Sequence, residues 1–449
     1  MIDTTDLRRR ADLAARRAPR RMVTFVCTPV VAACACVALL SASTWHNGST
    51  HIEDVSSTLM GIRQLVSGDS EHYLAIADSL REGDWRMRHV EPTGAADRAH
   101  RQPGYSALLA LAGSLGIQGA PALARVNVAV VIVSLWIAFF GVRLATGSSL
   151  AGLLAAAVLY DARFLFDIAT ERLLTEPLYV AVAIGAVAAC MTYARRPGAV
   201  SLLLAAALAG LAYDVRVNGL FLAVTLAVGM VFVDVLRARR ADPDLAAADV
   251  TLHLPIAAYA AALALFAIVT TPSWLPRTIY TGNPLYHGYL SNYLWVDDYE
   301  RAHVPGPPQF SFSIYAAEHS AADAARRMAW GMQRVFLETP RDKFGIVTTA
   351  ALLAAVLVLL ALRDTAGIVI ACAAVCQALP LAWTALANPA RRLPAAALLP
   401  FAAVVIAAAA AALLRHARRR TRAQGSASPT AAADPSSGPS REPSATDRT

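Results

Sequence analysis

Between residues 67 and 105 the chain reads SGDSEHYLAIADSLREGDWRMRHVEPTGAADRAHRQPGY, a polar passage with acids Asp69, Glu71, Asp78, Glu82, Asp84, Glu91 and Asp97 beside bases Arg81, Arg86, Arg88, Arg98 and Arg101. Carboxylates next to arginines offer two kinds of chemistry together: a proton acceptor, and a planar fork that holds two anionic oxygens. His72, His89 and His100 share the stretch, but their spacing matches no metal motif and solvated side chains account for them. Further ionisable residues recur at the edges of apolar runs: Glu171, Arg172, Glu176, Arg216, Arg391 and Arg392. Ionisable groups kept against membrane-spanning segments mark recognition or chemistry. Asp69 is the leading catalytic candidate.

The elements that must position these groups are helices in a bilayer. Of 449 residues, 56% are hydrophobic and 16% charged, against about 25% charged for a soluble domain. Mean hydropathy is +0.46, and apolar runs recur near the roughly 20 residues that a helix needs to cross hydrocarbon. The composition therefore predicts an all-α polytopic membrane protein. The formal charge of +8 belongs to the chain ends and short loops, where positive charge sets orientation, and does not call for nucleic acid. All six cysteines (Cys27, Cys34, Cys36, Cys190, Cys372, Cys376) lie in apolar runs and read as small buried hydrophobes rather than a disulfide or metal framework.

Residues 1–21 carry seven arginines ahead of the apolar run 22–44, the pattern of a signal-anchor helix with its N-terminus in the cytoplasm. A cleaved signal peptide ending near Ala42 is the rival. Further spans are predicted at 123–145, 150–168, 173–193, 199–215, 217–236, 254–271, 344–362, 366–386 and 393–414, about ten crossings in all, with both termini cytoplasmic. The loops then assigned to the cytoplasm contain Arg143, Arg195, Arg196, Arg237, Arg239, Arg240 and Arg363, and the tail opens with Arg415. Three domains follow: a basic tail over 1–21, a transmembrane domain over 22–414, and a Ser/Pro/Ala/Thr-rich disordered tail over 415–449.

Parity places the loops 45–120 and 272–343 outside. It also gathers Asp69, Glu71, Arg101, Glu171, Arg172, Glu176, Arg216, Arg391 and Arg392 at or just inside that exterior face. The first loop predicts a surface helix over 70–85, from the stripe Tyr73, Leu74, Ala77 and Leu80, and a short interfacial helix over 107–115. The second is aromatic, with Tyr280, Tyr286, Tyr289, Tyr293, Trp295, Tyr299, Phe310, Phe312 and Tyr315. Such rings suit sugars, or an interfacial belt in the headgroup layer. A surface helix over 318–338, ended near Thr339-Pro340, completes it.

Read in order, these motifs resemble the GT-C superfamily of integral membrane glycosyltransferases, the group that includes protein O-mannosyltransferases and the aminoarabinose transferases of lipid A. The matching pieces are Gly68-Asp69-x-x-x-Tyr73, Arg101-Gln102-Pro103-Gly104-Tyr105, Glu171-Arg172-x-x-Thr175-Glu176-Pro177, Arg216-x-Asn218-Gly219, Gly282-Asn283-Pro284-Leu285-Tyr286 and Asn388-Pro389-x-Arg391-Arg392. The resemblance implies transfer of a sugar, with inversion, from a polyprenyl-phosphate donor to a hydroxyl on a glycan, lipid or protein acceptor at the exterior face of the cell membrane. Asp69 would be the general base, a role worth about 10²–10⁴-fold, and Glu176 a second acid that orients acceptor or donor. Arg101 would clamp the departing phosphate, backed by Arg216, Arg391 and Arg392, with Tyr73, Glu171, Arg172 and Tyr286 lining the substrate. Some members of the superfamily bind a divalent cation, and the resemblance leaves that cofactor open; the Asp-x-Asp of this chain, Asp242-Pro243-Asp244, falls in a loop assigned to the cytoplasm rather than at the exterior face.

Each assignment has a plainer rival. Asp69 or Ser70 caps a helix, Glu176 answers a helix macrodipole ahead of Pro177, and Arg391 and Arg392 snorkel to the interface. For the whole chain the alternatives are a transporter or lipid flippase, or a non-catalytic membrane scaffold. A transporter should show internal repeats and ionisable groups at mid-membrane, and the sequence has no evident repeat.

Overall fold

The computed structural model describes residues 29–84, 101–241, 253–285, 293–302, 311–388 and 392–426. The described residues contain helices and no strand. This is the solution open to a chain whose backbone polar groups find no water in hydrocarbon. In chain order the helices before the first gap are α1 (Pro29–Ser56), α2 (Leu59–Val66) and α3 (Asp69–Arg81). After it come α4 (Pro103–Ser114), α5 (Ala120–Thr146), α6 (Ser149–Asp161), α7 (Arg163–Glu171), α8 (Glu176–Arg195), α9 (Ala199–Val215) and α10 (Asn218–Ala241). The later part holds α11 (Ile256–Val269), α12 (Thr271–Thr281), α13 (Tyr299–Ala302), α14 (Phe312–Glu318), α15 (Ala321–Gln333), α16 (Thr339–Lys343), α17 (Gly345–Ala361), α18 (Thr365–Thr384) and α19 (Arg392–Ser426).

Six helices (α1, α5, α8, α10, α18 and α19) are long and apolar enough to cross a membrane, and up to eight spans result if the bent pairs α6–α7 and α11–α12 each count as one. The chain is thus an all-α polytopic membrane protein. Helices α9 and α17, with 17 residues each, are apolar but shorter. Helices α8 and α19 are the most enclosed. α8 is flanked by α5, α9, α10, α18 and α19, and α19 by α6, α17 and α18 as well. The alanine-rich middle of α19, Val404 to Ala412, is what lets neighbours approach closely. Outward-facing Leu39, Leu144, Val200, Leu263, Val347 and Leu357 are exposed, as a surface against lipid requires.

Several sequence expectations change. The first helix runs a dozen residues beyond the predicted end at Thr44, to Ser56, and α2 was not foreseen. The span expected over 150–168 breaks at Ala162 with a 54° bend, and the one over 254–271 turns by 65° at Thr270 into α12. Hydropathy averages across the break at Ala162, whereas the turn at Thr270 sits at the expected end of its span. The helix expected over 107–115 starts at Pro103 and packs between α3 and α9, with Ala107, Leu111 and Ser114 left along an exposed stripe. The helix expected over 318–338 begins with a capping box between Ser320 and Asp323 and does not stop at Pro340. A π-helical turn, Arg334–Glu338, carries the chain into α16, where Pro340 sits in the first turn and forfeits no internal bond. Of the five cysteines described, all free, only Cys190 is buried; Cys36, Cys372 and Cys376 face outward from the bundle. The predicted basic and disordered tails lie outside the described residues, apart from the helical stretch up to Ser426.

Candidate functional site

At one end of the bundle, five ionisable side chains from distant parts of the chain form a continuous ion-pair network. Its deepest member is Glu176, 1% exposed, at the first turn of α8. A carboxylate is favoured there by the positive end of the helix macrodipole. Arg216, in the short link between α9 and α10, places Nη1 3.0 Å from Glu176 Oε1 and donates to Thr175 Oγ1 at 2.6 Å. Arg392, at the start of α19, lies between the two acids: Nε is 3.4 Å from Glu176 Oε1 and Nη2 donates to Asp69 Oδ2 at 3.1 Å. Arg101 donates from Nη2 to Asp69 Oδ1 at 2.6 Å. The series Arg101–Asp69–Arg392–Glu176–Arg216 therefore sets three guanidiniums against two carboxylates. Its accessibility is graded, with the Asp69 side chain 32% exposed at the outer end and Glu176 sealed at the inner end. Glu176 Oε2 is buried with no hydrogen-bond partner among the described residues, an acceptor that a ligand hydroxyl would satisfy.

Local sequence explains why Asp69 is available. The N-cap of α3 is Gly68, at φ 63° and without a side-chain cap bond, so Asp69 is the first helical residue rather than the cap. Neither Asp69 nor Ser70 caps α3, and the carboxylate is left to face Arg101 and Arg392. Burial raises its pKa, while the Arg101 guanidinium, then Arg392 and Arg216, lower it; the cations prevail and hold the carboxyl below its ordinary 3.8.

Each residue of Arg101-Gln102-Pro103-Gly104-Tyr105 has its own task. Pro103 opens α4. Arg101 carries its guanidinium 5.8 Å from the Tyr73 ring centroid, close enough for a cation–π contact. Tyr73 meets Tyr105 edge to face at 5.3 Å. Tyr105 donates to Asn127 Oδ1 at 3.0 Å, and Asn127 donates onward to the Arg172 carbonyl at 3.3 Å. Gly104 is obligatory for a different reason: a Cβ there would sit 2.8 Å from the Asp214 carbonyl oxygen.

Behind Gln102 stands Arg277, 0% exposed, on the bent leg α12. It donates to Gln102 Oε1 at 2.6 Å and to Tyr213 OH at 3.2 Å, while Ser273 on the same leg donates to Asp214 Oδ1. This buried polar group ties α12 to the start of α4 and to the end of α9, and so to the neighbours of Arg101 and Arg216. Sequence reasoning missed it. The available clue was an arginine directly after Pro276, at the edge of an apolar run.

Other expected residues fall elsewhere. Glu171 faces His51 at 3.6 Å with both side chains well exposed, and the Arg172 side chain is exposed. Neither joins the network. Tyr286 and Arg391 lie outside the described residues, as do Tyr289, Phe310, His89 and His100. Of the expected aromatic surface, Tyr293 and Tyr315 are buried. The Arg327 guanidinium lies 5.1 and 4.6 Å from the Tyr315 and Trp383 ring centroids, which themselves meet edge to face at 5.5 Å, and Arg327 pairs with Asp297 at 2.8 Å. These rings fasten the loop onto α18 instead of presenting a face. Among the described residues no group of three or more His, Cys, Asp or Glu side chains gathers to ligate a metal.

The fold and site together define a polytopic helical membrane protein with an acid–arginine network at one end of its bundle. No family model, curated protein or solved structure matches the chain.

Proposed function

We propose that the chain is a membrane glycosyltransferase of the GT-C type, which moves a sugar from a polyprenyl-phosphate donor to an acceptor hydroxyl at the exterior face of the cell membrane. The observation that carries this reading is Asp69, a partly exposed carboxylate shared by Arg101 and Arg392 within a network that has one more cation than anion. An anionic phosphate competes with Asp69 for those two guanidiniums. As they turn to the phosphate oxygens, Asp69 loses the cations that weaken it as a base. Its carboxylate then takes the acceptor proton while the hydroxyl oxygen attacks the anomeric carbon from the face opposite the leaving group. The bond from that carbon to the phosphate oxygen breaks, and its electron pair leaves on the phosphate held by the arginines. Preorganised charge of this kind is usually the largest catalytic contribution. Glu176 receives a hydroxyl of acceptor or donor on its unpartnered oxygen.

The ten-span arrangement with both termini cytoplasmic belongs to the same proposal. Its support is geometric: α8 leaves the network at Glu176 and α9 returns to it at Arg216. The 17 residues of α9 cover about 25 Å, close to the roughly 30 Å of the 20-residue α8. The two bent pairs favour a second reading, a transporter, since interrupted helices commonly line transport sites.

The test is turnover of reconstituted protein on polyprenyl-phosphate sugars, with the sugar and acceptor first identified from the envelope glycans and lipids that a deletion strain lacks. Asp69→Asn is expected to keep donor binding and lose about 10²–10⁴-fold in turnover. Full turnover by Asp69→Asn would remove Asp69 from the reaction. Flux of an intact substrate across vesicles, without transfer, would establish the transporter instead.

A further inference from the structure

The opposite end of the bundle carries a second cluster, made of arginines that the proposed transfer does not use. Arg195 at the end of α8 and Arg415 on α19 both donate to one carboxylate oxygen, Asp364 Oδ2, at 2.9 and 2.7 Å. Arg237 on α10 joins them through the chain of α8, donating to the Ala194 carbonyl at 2.5 Å. Asp364 is committed further, since its Oδ1 caps α18 at Gly367. One carboxylate thus serves two guanidiniums, and the third has only a backbone carbonyl. A further described acid on α10, Asp234, is buried one turn before Arg237, where Tyr193 and Tyr259 donate to its Oδ2.

The internal partners do not exhaust these donors. Arg195 Nε, Arg237 Nη1 and Arg415 Nη1 are all buried, and none has a hydrogen-bond partner among the described residues. Buried N–H groups of charged side chains are seldom left so, because each forfeits its hydration without replacement. Orientation by positive charge needs arginines in water, not three guanidiniums half withdrawn from it. Among the described residues the rim adds further positive charge, through exposed Arg196, Arg239, Arg418 and Arg419. Beside it, Phe232 and Leu413 are exposed on the flanks of α10 and α19, near the same end, as apolar surface for a chain.

We infer that Arg195, Arg237 and Arg415 form a binding site for the phosphate headgroup of an anionic membrane lipid, whose acyl chains lie along α10 and α19. Guanidinium forks match phosphate oxygens in pairs, and the adjoining apolar flank distinguishes a lipid from a free phosphate. The site lies one helix length, about 30 Å, from Glu176 along α8, so it is separate from the proposed donor site.

Native mass spectrometry of the full chain in detergent, with phosphatidylglycerol and phosphatidylcholine as probes, tests this. Phosphatidylglycerol is expected to be retained preferentially. Arg195→Gln and Arg237→Gln should each lower its occupancy about fivefold, the effect of one basic residue at an anionic surface. Should Arg195→Gln fail to fold, Arg237→Gln, whose described bond is to a backbone carbonyl, carries the test alone. Asp364→Asn should leave phosphatidylglycerol bound as tightly or more so, because it removes the internal competitor. Equal retention of the two lipids, or unchanged phosphatidylglycerol occupancy in Arg237→Gln, would overturn the site. Displacement of the lipid by equimolar glycerol phosphate would overturn the lipid assignment in favour of a soluble phosphate.

Discussion

Asp69 and Glu176 are both carboxylates in one network, yet their surroundings give them different work. Asp69 stands at the accessible end between two guanidiniums and keeps its charge until the pH falls below its ordinary 3.8. Its pKa is depressed in the folded protein. The ion pairs with Arg101 and Arg392 therefore contribute stability that is complete above 3.8 and is lost as pH falls through the lowered value. Donor binding withdraws both cations, leaving burial to raise the carboxyl. The acid limb of kcat, which reports the substrate complex, should accordingly lie at higher pH than that of kcat/KM, which reports the free protein. Coincident limbs in paired pH profiles would rule out the exchange of arginines. Glu176 is sealed, and truncating it leaves Arg216 without its carboxylate partner. Glu176→Ala should cost about 3–5 kcal/mol of stability, as loss of one partner from a buried pair does. Glu176→Gln, which keeps the shape and an acceptor, should cost less; equal losses of thermal stability would show that packing rather than charge holds the site. The five residues of this network were legible in the sequence, because a charged side chain among apolar runs has few places to go. Glu171 and Arg172 satisfied the same criterion and went to the surface, since a helix end in the link after α7 offers water as readily as a partner.

Elements decide whether those side chains meet. The least forgiving contact is that of Gly104 against the Asp214 carbonyl, because a backbone oxygen cannot swing aside as a side chain can. Gly104→Val should push α4 away from the end of α9 and carry Arg101 with it. A raised KM for the donor, with the protein still folded by circular dichroism, is the expected result; an unchanged KM would detach Arg101 from donor binding. Arg277 acts on the same element from behind. Arg277→Met removes the donors that reach Gln102 and Tyr213 while keeping much of the volume. A fall in melting temperature together with a raised donor KM is expected, whereas a fall in stability alone would confine Arg277 to the fold. Neither the bent leg α12 nor its buried arginine was readable beforehand. Periodicity reports which face of a helix is apolar, and is blind to where the helix stops and turns. The break at Ala162 falls inside one averaged window, which carries the span through it, whereas the turn at Thr270 coincides with the end expected for the span over 254–271 and only the continuation into α12 goes unseen. A run of rings in the sequence is equally consistent with a binding face and with packing: Tyr315 packs with Trp383 against Arg327, while Tyr299 and Phe312 are exposed.

At the scale of the whole molecule, the network and the second arginine cluster sit at opposite ends of the same helices, and that arrangement fixes what an orientation experiment must find. Helix α8 carries Glu176 at its first residue and Arg195 at its last, while α19 carries Arg392 and Arg415 in the same sense. Both helices thus run from the acid–arginine network to the arginine-rich end. Positive charge collects in the described short segments at one end, and such segments tend to stay in the cytoplasm; the proposed orientation therefore puts the network outside, where a polyprenyl-phosphate sugar would be presented to its acceptor. This much does not depend on whether α9 and α17 count as spans, because the ion pairs at the two ends already tie α8, α9 and α19 together. In a chain whose cysteines have been replaced, Ser67→Cys, exposed just ahead of α3, should react with an impermeant maleimide on intact cells. Arg419→Cys, exposed on α19 beyond the bundle, should react only after the membrane is opened. The reverse pattern would put Asp69 and its arginines in the cytoplasm. It would also leave the arginine-rich end outside, against the charge rule, and would remove both the exterior transfer reaction and the inner-leaflet lipid from consideration. Labelling of both positions on intact cells would instead require an even number of crossings between them, and would direct attention to whether just one of α9 and α17 fails to traverse.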